Sequence, residues 1–244
     1  MARDRLRVLA LYPDLMNIYA DRGNLLLLER RCAWRGIGFE LVGAGLGDQV
    51  DPDAHDLIYL GGGQDRDQAL CAQDLVDTKR DALHAAVDGG AGFLAVCGGF
   101  QLLGASYVLG DEELPGLGLC DLSTVRGPEG DRLVGNVAIE VDLPGLGGPR
   151  VLAGFENHGG RTRLGPGETP LGRVLEGHGN DGRDGREGVR RGTIVGTYLH
   201  GPLLPKNAWF ADWLIATATG EELTPLDDAL EQDAHRAARR AAGV

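Results

Sequence analysis

The chain has 244 residues, a length that suits one large α/β domain or two small ones. Its formal net charge is −12, and its 43% hydrophobic residues are typical of a soluble globular protein. No basic run stands out from this acidic balance, which argues against nucleic acid and anionic membranes as partners. No apolar stretch approaches the roughly 20 residues of a transmembrane helix, and the first residues lack the pattern of a signal peptide. We therefore expect a cytoplasmic protein.

The cysteines are widely spaced and form no Cys-x-x-Cys pair, so the sequence predicts neither a zinc site nor a redox dithiol. A cytoplasmic location would keep their thiols reduced, which leaves a thiol available for catalysis. The four positions are Cys32, Cys71, Cys97 and Cys120.

The first half of the chain alternates short apolar runs with helical patterns. Strands are predicted over residues 6–11, 39–42, 56–60 and 92–96, and helices over 24–34 and 73–87. This alternation predicts an α/β fold with a doubly wound, mostly parallel sheet flanked by helices. In such a sheet, ligands bind at the carboxyl ends of the strands.

The second half has shorter β-type segments joined by Gly/Pro turns, over residues 134–141, 151–155, 173–175 and 193–199. They predict an antiparallel or mixed extension of the sheet. Helices are predicted over 206–218 and 226–241, and the polar, Gly-rich segment 177–188 is expected to be a mobile loop. We predict one domain over residues 1–225, followed by a helical tail over 226–244.

One stretch of the sequence indicates a candidate catalytic cysteine. The apolar run over residues 93–96 ends at Cys97, which Gly98, Gly99 and a predicted helix start follow. This pattern is typical of a nucleophile elbow, where a sharp strand-to-helix turn exposes the nucleophile. The Gly98 amide, at a helix N-terminus, would lower the thiol pKa and donate a hydrogen bond to an oxyanion. The alternative is a buried structural cysteine beside an ordinary glycine turn.

A cysteine nucleophile needs a base, and histidine is the usual one. Among six histidines, His200 ends the predicted strand 193–199 and would lie beside the elbow strand, so it is the leading candidate. His158 is the second candidate, although its Gly-rich segment could instead shape a substrate pocket or a partner contact. The alternative for His200 is a structural histidine with satisfied hydrogen bonds.

Three motifs together resemble the class I, triad-type glutamine amidotransferases, in particular their cobyric-acid-synthase-like branch. They are Cys-Gly-Gly-Phe-Gln at 97–101, Gly-Gly-Gly-Gln-Asp-Arg at 61–66 and Tyr-Leu-His-Gly-Pro at 198–202. Segments 154–162 and 196–207 are similar, more specifically, to the small glutaminase subunit of lipid II isoglutaminyl synthases. The resemblance runs from residue 12 to about residue 213 and weakens in segment 177–188 and the tail.

The resemblance implies that the thiolate of Cys97 attacks the side-chain amide of L-glutamine. His200 would take the thiol proton and return it to the leaving ammonia. Backbone amides of Gly62 and Gly98 would form the oxyanion hole.

Two further residues match substrate-binding positions of the family. Gln101 would lie near bound glutamine, and Arg132 would contact its α-carboxylate, which suits a guanidinium fork. The alternatives are a helix-surface amide for Gln101 and a solvated surface arginine for Arg132.

The sequence departs from the triad pattern at one position. The common triad enzymes carry Glu two residues after the catalytic His, where this chain has Pro202 and no acid nearby in the sequence. We hypothesise that a partner subunit supplies the acid in trans, or that Cys97 and His200 act as a dyad.

The chain has no nucleotide-binding loop, because no Gly-Lys-Ser/Thr follows the triple glycine. We predict no cofactor or metal in this chain. The resemblance implies a heterodimer with a Mur-ligase-like (MurT-type) synthetase subunit that holds ATP and Mg²⁺. Ammonia from this chain would convert D-glutamate of the lipid II stem peptide to D-isoglutamine in peptidoglycan synthesis. The alternatives are another acceptor, such as a cobyrinate, and a non-catalytic amidotransferase-like binding protein.

Overall fold

Strands and helices alternate in the first half of the computed structural model, which describes residues 4–17, 22–109 and 112–244. The strands are β1 (Arg5–Leu11), β2 (Gly38–Ala44), β3 (Leu57–Leu60), β4 (Gly92–Val96), β5 (Ser106–Leu109), β6 (Glu112–Pro115), β7 (Leu122–Arg126), β8 (Leu133–Val141), β9 (Arg150–His158), β10 (Gly160–Leu164), β11 (Gly172–Glu176), β12 (Arg186–Glu187), β13 (Val189–Arg191) and β14 (Ile194–Thr197). The α-helices are α1 (Arg22–Ala33), α2 (Asp65–Asp74), α3 (Arg80–Asp88), α4 (Gly98–Gln101), α5 (Leu203–Lys206), α6 (Ala208–Thr219) and α7 (Ala229–Ala241), with a π-helical turn over Leu75–Lys79. None of the helices in these ranges is long and apolar enough to cross a membrane.

The main sheet has six strands in the order β13-β14-β4-β3-β1-β2. All its neighbouring pairs are parallel except β13 with β14. Every residue of β3 and β4 is buried, as expected for parallel strands that are covered on both faces. The predicted α/β fold with a mostly parallel sheet is therefore confirmed.

The register of this sheet brings three strand ends together. Leu60 lies opposite Ala95, and Thr197 lies opposite Val96. The loops that follow β3, β4 and β14 therefore meet at one edge, which we call the carboxyl edge. Ligand sites of doubly wound sheets lie at such an edge.

The remaining strands form two separate four-stranded sheets, β10-β7-β5-β6 and β12-β11-β8-β9. The predicted extension of the main sheet is present in β14 and its antiparallel neighbour β13, whereas the predicted segments 134–141, 151–155 and 173–175 belong to a separate sheet. The long β8–β9 hairpin pairs over nine residues and builds its own sheet. Its link to the carboxyl edge is Phe155, which exchanges two backbone hydrogen bonds of 3.0 and 3.1 Å with His200.

Two predicted helices differ from the observed ones. The helix predicted over 73–87 begins at Asp65 instead and continues through the π-helical turn to Asp88. Its polar first turns lack the apolar spacing that marks a helix in a sequence. The helix after Cys97 is a single turn, because the chain turns away again towards β5.

Hydrogen bonds hold the Gly-rich segment 177–188 in place, whereas the sequence predicted a mobile loop. The Asn180 side chain donates to the carbonyl oxygen of Gly188 (3.1 Å) and accepts from its amide (2.7 Å). Thr162 donates its amide to the Asn180 carbonyl oxygen at 2.9 Å. The segment ends in β12, which pairs with β11. Periodicity could not reveal these contacts, because side chain to backbone bonds hold the segment.

The buried side chain of Arg31 binds the segment that leads into the C-terminal helix α7. Arg31 of α1 is fully buried. It donates to both carboxylate oxygens of Asp212 (2.5 Å each) and of Asp228 (2.8 and 3.0 Å), next to the start of α7. His235 Nδ1 lies 2.9 Å from the carbonyl oxygen of Lys206. The division of the chain at residue 225 stays a prediction.

We predict that Arg31→Met lowers the free energy of unfolding by about 3–5 kcal/mol, because it leaves the partly buried Asp228 without its ion-pair partner and Asp212 with Arg35 alone. Urea denaturation of the full chain measures this. Arg5→Met is the control, since it removes an exposed ion pair with Glu40 and should cost less than about 1 kcal/mol. Equal losses in the two variants would contradict the role of Arg31.

Candidate active site

Cys97 adopts a strained backbone conformation directly after β4, with φ of 52° and ψ of −108°. Its amide donates to the carbonyl oxygen of Thr197 at 2.8 Å, so the neighbouring strand β14 holds the turn in place. Positive φ in a residue other than glycine costs of order 1–3 kcal/mol and clusters at functional sites. The elbow geometry predicted for Cys97 is thus present.

Glycines around the elbow allow very close backbone approaches. A Cβ on Gly99 would lie 2.3 Å from the Leu60 carbonyl oxygen, and one on Gly61 would lie 2.3 Å from that of Met16. A Cβ on Gly98 would lie 3.2 Å from the Gly63 amide nitrogen. The triple-glycine loop after β3 therefore packs directly on the elbow, so the two residues predicted to form an oxyanion hole, Gly62 and Gly98, lie in adjoining segments.

The one-turn helix limits part of the sequence argument. The macrodipole needs several aligned peptides, so the single turn of α4 supplies little of it beside Cys97. Its first amide, that of Gly98, belongs to the helix start, where amides have no acceptor within the helix. Hydrogen bonding from this amide, rather than a helix dipole, is what the elbow offers to an oxyanion.

His200 follows β14 by three residues, and β14 is the parallel neighbour of β4. Its side chain is fully buried. Burial lowers the pKa of His200 to about 4, with further lowering from His158, Lys206 and Arg132 and an opposing effect of Glu156. The imidazole is therefore neutral at neutral pH, the state in which a base accepts a proton.

A pocket at the carboxyl edge collects most of the predicted site. Cys97, Gly98, Gln101 and Arg132 line it, whereas the buried Gly62 and His200 lie outside its lining. The other lining residues are Gly63, Asp65, Gln68, Tyr107, Arg126, Asn157, His158 and Gly159.

Gln101 is buried, so the helix-surface alternative for it is wrong. Its Nε2 donates to the Tyr198 hydroxyl at 3.2 Å, and its Oε1 accepts from Gln68 Nε2 at 2.9 Å. Gln68 also donates to the Gly98 carbonyl oxygen at 3.2 Å. Gln101 therefore fixes the pocket wall beside the elbow.

Arg132 is exposed at the rim of the pocket but is not free to move. Its Nε and Nη2 donate to the side-chain and backbone oxygens of Asn157, both at 2.9 Å. The pairing of Leu133 with His158 brings these neighbours together. This arrangement presents a fixed cation close to the nucleophile.

His158 lies in the pocket wall with an unusual environment. Its ring stacks on Tyr198 at 3.5 Å between centroids and 4° between planes. Nδ1 lies 2.9 Å from the Gly160 carbonyl oxygen, and Nε2 lies 3.8 Å from Glu156 Oε2, beyond hydrogen-bond length. Burial lowers the pKa of His158.

Sequence reasoning missed several polar residues of the site. Glu156 and Asn157 belong to a quoted motif, so their positions carried a signal that was assigned to no role. Gln68 and Tyr107 lie in stretches without any motif, and only the fold brings them to the pocket. Within the described ranges, no three His, Cys, Asp or Glu side chains form a cluster that could hold a metal ion.

The fold is that of the glutamine amidotransferases. A solved glutamine amidotransferase superposes with a TM-score of 0.55 at 17% identity, over 86% of this chain and 98% of its own. The structure of PurLQS from Thermotoga maritima superposes with a TM-score of 0.60 at 20% identity, over 88% of this chain and 96% of its own.

The chain belongs to the family with the CobB/CobQ-like glutamine amidotransferase domain, which matches residues 7–208. It is 39% identical to the lipid II isoglutaminyl synthase (glutamine-hydrolyzing) subunit GatD of Staphylococcus aureus, over 88% of this chain and 84% of that protein. The GatD subunit of Streptococcus pneumoniae is 34% identical over 94% and 88% of the two chains. A cobyric acid synthase from Photorhabdus laumondii is 36% identical, over 50% of this chain and only 25% of that protein. The resemblance found in the sequence is confirmed.

The buried Glu187 predicts a pH dependence of stability. Burial raises its pKa from 4.5 to about 8, although it accepts hydrogen bonds from Tyr198 and Thr197. At Glu187 the folded chain therefore binds more protons than the unfolded chain between these pH values. We expect this carboxyl to lower the free energy of unfolding as pH rises from 5 to 8, by up to about 1.4 kcal/mol per pH unit, against the opposite contribution of the histidines whose pKa is lowered by burial.

Glu187→Gln keeps a neutral group of the same shape and should lose this share of the pH dependence. Denaturation of wild type and variant at pH 5.5, 6.5 and 7.5 compares the slopes. Identical slopes in the two proteins would show that Glu187 is not the titrating group.

Proposed function

We propose that this chain is the glutaminase subunit of a lipid II isoglutaminyl synthase. The observation that carries the proposal is the strained Cys97 elbow at the carboxyl edge of an amidotransferase fold. The near full-length similarity to two GatD subunits supports the assignment to lipid II amidation.

In the proposed reaction, Cys97 Sγ attacks the side-chain carbonyl carbon of L-glutamine while the thiol proton passes to His200. The amides of Gly62 and Gly98 stabilise the tetrahedral oxyanion. Its collapse breaks the C–N bond, His200 returns the proton to the leaving ammonia, and a γ-glutamyl thioester remains on Cys97. Water then attacks the thioester with His200 as base, which releases glutamate.

Arg132 would bind the α-carboxylate of glutamine through its guanidinium group. Its two hydrogen bonds to Asn157 fix the group beforehand, so little side-chain entropy is lost on binding. Gln101, which Gln68 and Tyr198 hold in the pocket wall, would shape the space for the substrate side chain.

The ammonia would pass to a Mur-ligase-like (MurT-type) partner that holds ATP and Mg²⁺ and forms a heterodimer with this chain in the cytoplasm. The partner would activate the α-carboxylate of D-glutamate in the lipid II stem peptide, and ammonia would give D-isoglutamine. Cys97 and His200 would act either as a dyad or with an acid supplied by that partner.

A cobyrinate acceptor is the second candidate, favoured by the similarity to cobyric acid synthases. The chain spans about a quarter of the length of the cobyric acid synthase it matches, so the synthetase step would again lie on another protein. An assay that offers the complex either lipid II or a cobyrinate separates the two acceptors.

We predict that the purified chain releases glutamate from L-glutamine and that Cys97→Ala lowers the rate at least 1000-fold, because the nucleophile is lost. Cys120→Ala is the control, since Cys120 is also buried but does not line the pocket; its rate should stay within threefold of wild type. No release by any of the proteins, alone or with the synthetase partner, would contradict the glutaminase function. A sharp rise with the partner supports an acid in trans, and equal rates argue for a site complete in this chain.

Arg132→Met should raise the KM for glutamine roughly 10- to 100-fold, with a smaller effect on kcat, because it removes a charged contact to a part of the substrate that does not react. Steady-state glutamate release measures both constants. Arg163→Met serves as the control, because Arg163 does not line this pocket. An unchanged KM would place the α-carboxylate elsewhere.

A further inference from the structure

A carboxylate is buried beside the two histidines of the site. Glu156 lies on β9 and is fully buried. Its Oε1 accepts from the His178 amide at 2.6 Å, and its Oε2 accepts from the Gly179 amide at 3.0 Å. A Cβ on Gly177 would lie 2.8 Å from Oε1, so the loop can wrap the carboxylate only with glycine there. The backbone of residues 177–179 thus forms a specific binding site for the negatively charged carboxylate of Glu156.

Glu156 directly faces His158. Its Oε2 lies 3.8 Å from His158 Nε2, which has no hydrogen-bond partner among the described residues and is buried. Because the Gly160 carbonyl oxygen accepts from Nδ1, a neutral His158 carries its proton on Nδ1 and turns a lone pair towards the carboxylate. That contact becomes favourable only when positive charge or a donor comes near. The Glu156–His158 pair is therefore suited to stabilise a positive charge that forms nearby during the reaction.

That charge forms on His200. Phe155, the neighbour of Glu156, holds His200 through two backbone hydrogen bonds, which fixes β9 against the end of β14. The charged and titratable groups that act on His200 are His158 and Glu156 from β9, Lys206 from α5 and Arg132 from the turn before β8. Glu156 alone among these favours an imidazolium, and the other three oppose it.

We infer that Glu156 is the positioning carboxylate of this site: from β9 it lies beside His158 and stabilises the imidazolium that His200 becomes when it takes the thiol proton of Cys97. It fills the role left open at Pro202, two residues after His200. No atom of Glu156 needs to touch the substrate. This inference rests on the proposed glutaminase function, because it assigns the base of that reaction.

The fold also explains why the spacing of residues in the sequence does not reveal the role of Glu156. Glu156 precedes His200 by 44 positions in the numbering, and the antiparallel contact of β9 with the end of β14 brings the two segments together. The acid Glu156 thus lies on β9, in the sheet β12-β11-β8-β9, and not in the loop that follows His200. The loop of residues 177–179 then holds it in place.

The test compares Glu156→Gln with Glu187→Gln. Both variants exchange a fully buried glutamate for the isosteric amide, but Glu187 touches neither histidine and is largely protonated at neutral pH. Two readouts are measured on the full-length chain: kcat and KM for glutamate release, and the pKa of His200 from an NMR titration of its imidazole. The second readout needs no glutamine and reports the imidazolium itself.

We expect Glu156→Gln to lower kcat at least tenfold with KM within threefold, and to lower the pKa of His200, because the imidazolium loses its counter-charge. Glu187→Gln should stay within threefold in kcat, with an unchanged pKa of His200. His158→Gln should raise the pKa of His200, because His158 opposes the charge on His200, and this variant leaves the loop contacts of Glu156 intact.

A wild-type kcat and a wild-type pKa of His200 in Glu156→Gln would overturn the inference. If that variant fails to fold, an unchanged or lowered pKa of His200 in His158→Gln would overturn it as well. Full recovery of Glu156→Gln by the synthetase partner would also do so, since the acid would then come in trans. Failure of the glutaminase function itself looks different: wild type would release no glutamate, whatever the pKa of His200 shows.

Discussion

The site depends on one backbone conformation, the positive φ of Cys97. Strain of this kind persists only where the surroundings over-determine it. Here the amide of Cys97 is bonded to Thr197 on one side, and Gly99 packs against the Leu60 carbonyl oxygen on the other. Because β3, β4 and β14 are buried strands of the main sheet, closely packed backbone holds this conformation. The backbone around Cys97 therefore fixes the position of the nucleophile.

The second half of the chain supplies the polar groups around that nucleophile. The β8–β9 hairpin pairs Leu133 with His158, so it brings Arg132 and His158 to the pocket together. The same strand β9 buries Glu156 and holds His200 through Phe155. One hairpin thus connects the groups assigned to substrate binding with those assigned to proton transfer. The net charge of the chain plays no part in this local arrangement.

The sequence predicted the parallel sheet and the elbow because both leave local signals, namely buried apolar runs and paired glycines. It could not predict the two additional sheets, since strand partners are set by contacts far apart in the chain. The helix that begins at Asp65 was missed because its first turns lack apolar periodicity. For the site, motifs located Cys97 and His200, whereas the carboxylate of Glu156 gained a role only once β9 met the end of β14.

The most direct test of this account is covalent labelling with a diazoketone analogue of glutamine, followed by intact mass and peptide mapping. We predict a single adduct, on Cys97, and its suppression by excess L-glutamine. The other cysteines should stay unmodified, because burial raises the pKa of Cys32 to about 11 and those of Cys71 and Cys120 to about 12. The absence of an adduct, or an adduct on another cysteine, would contradict the assignment of Cys97 as the nucleophile that attacks glutamine.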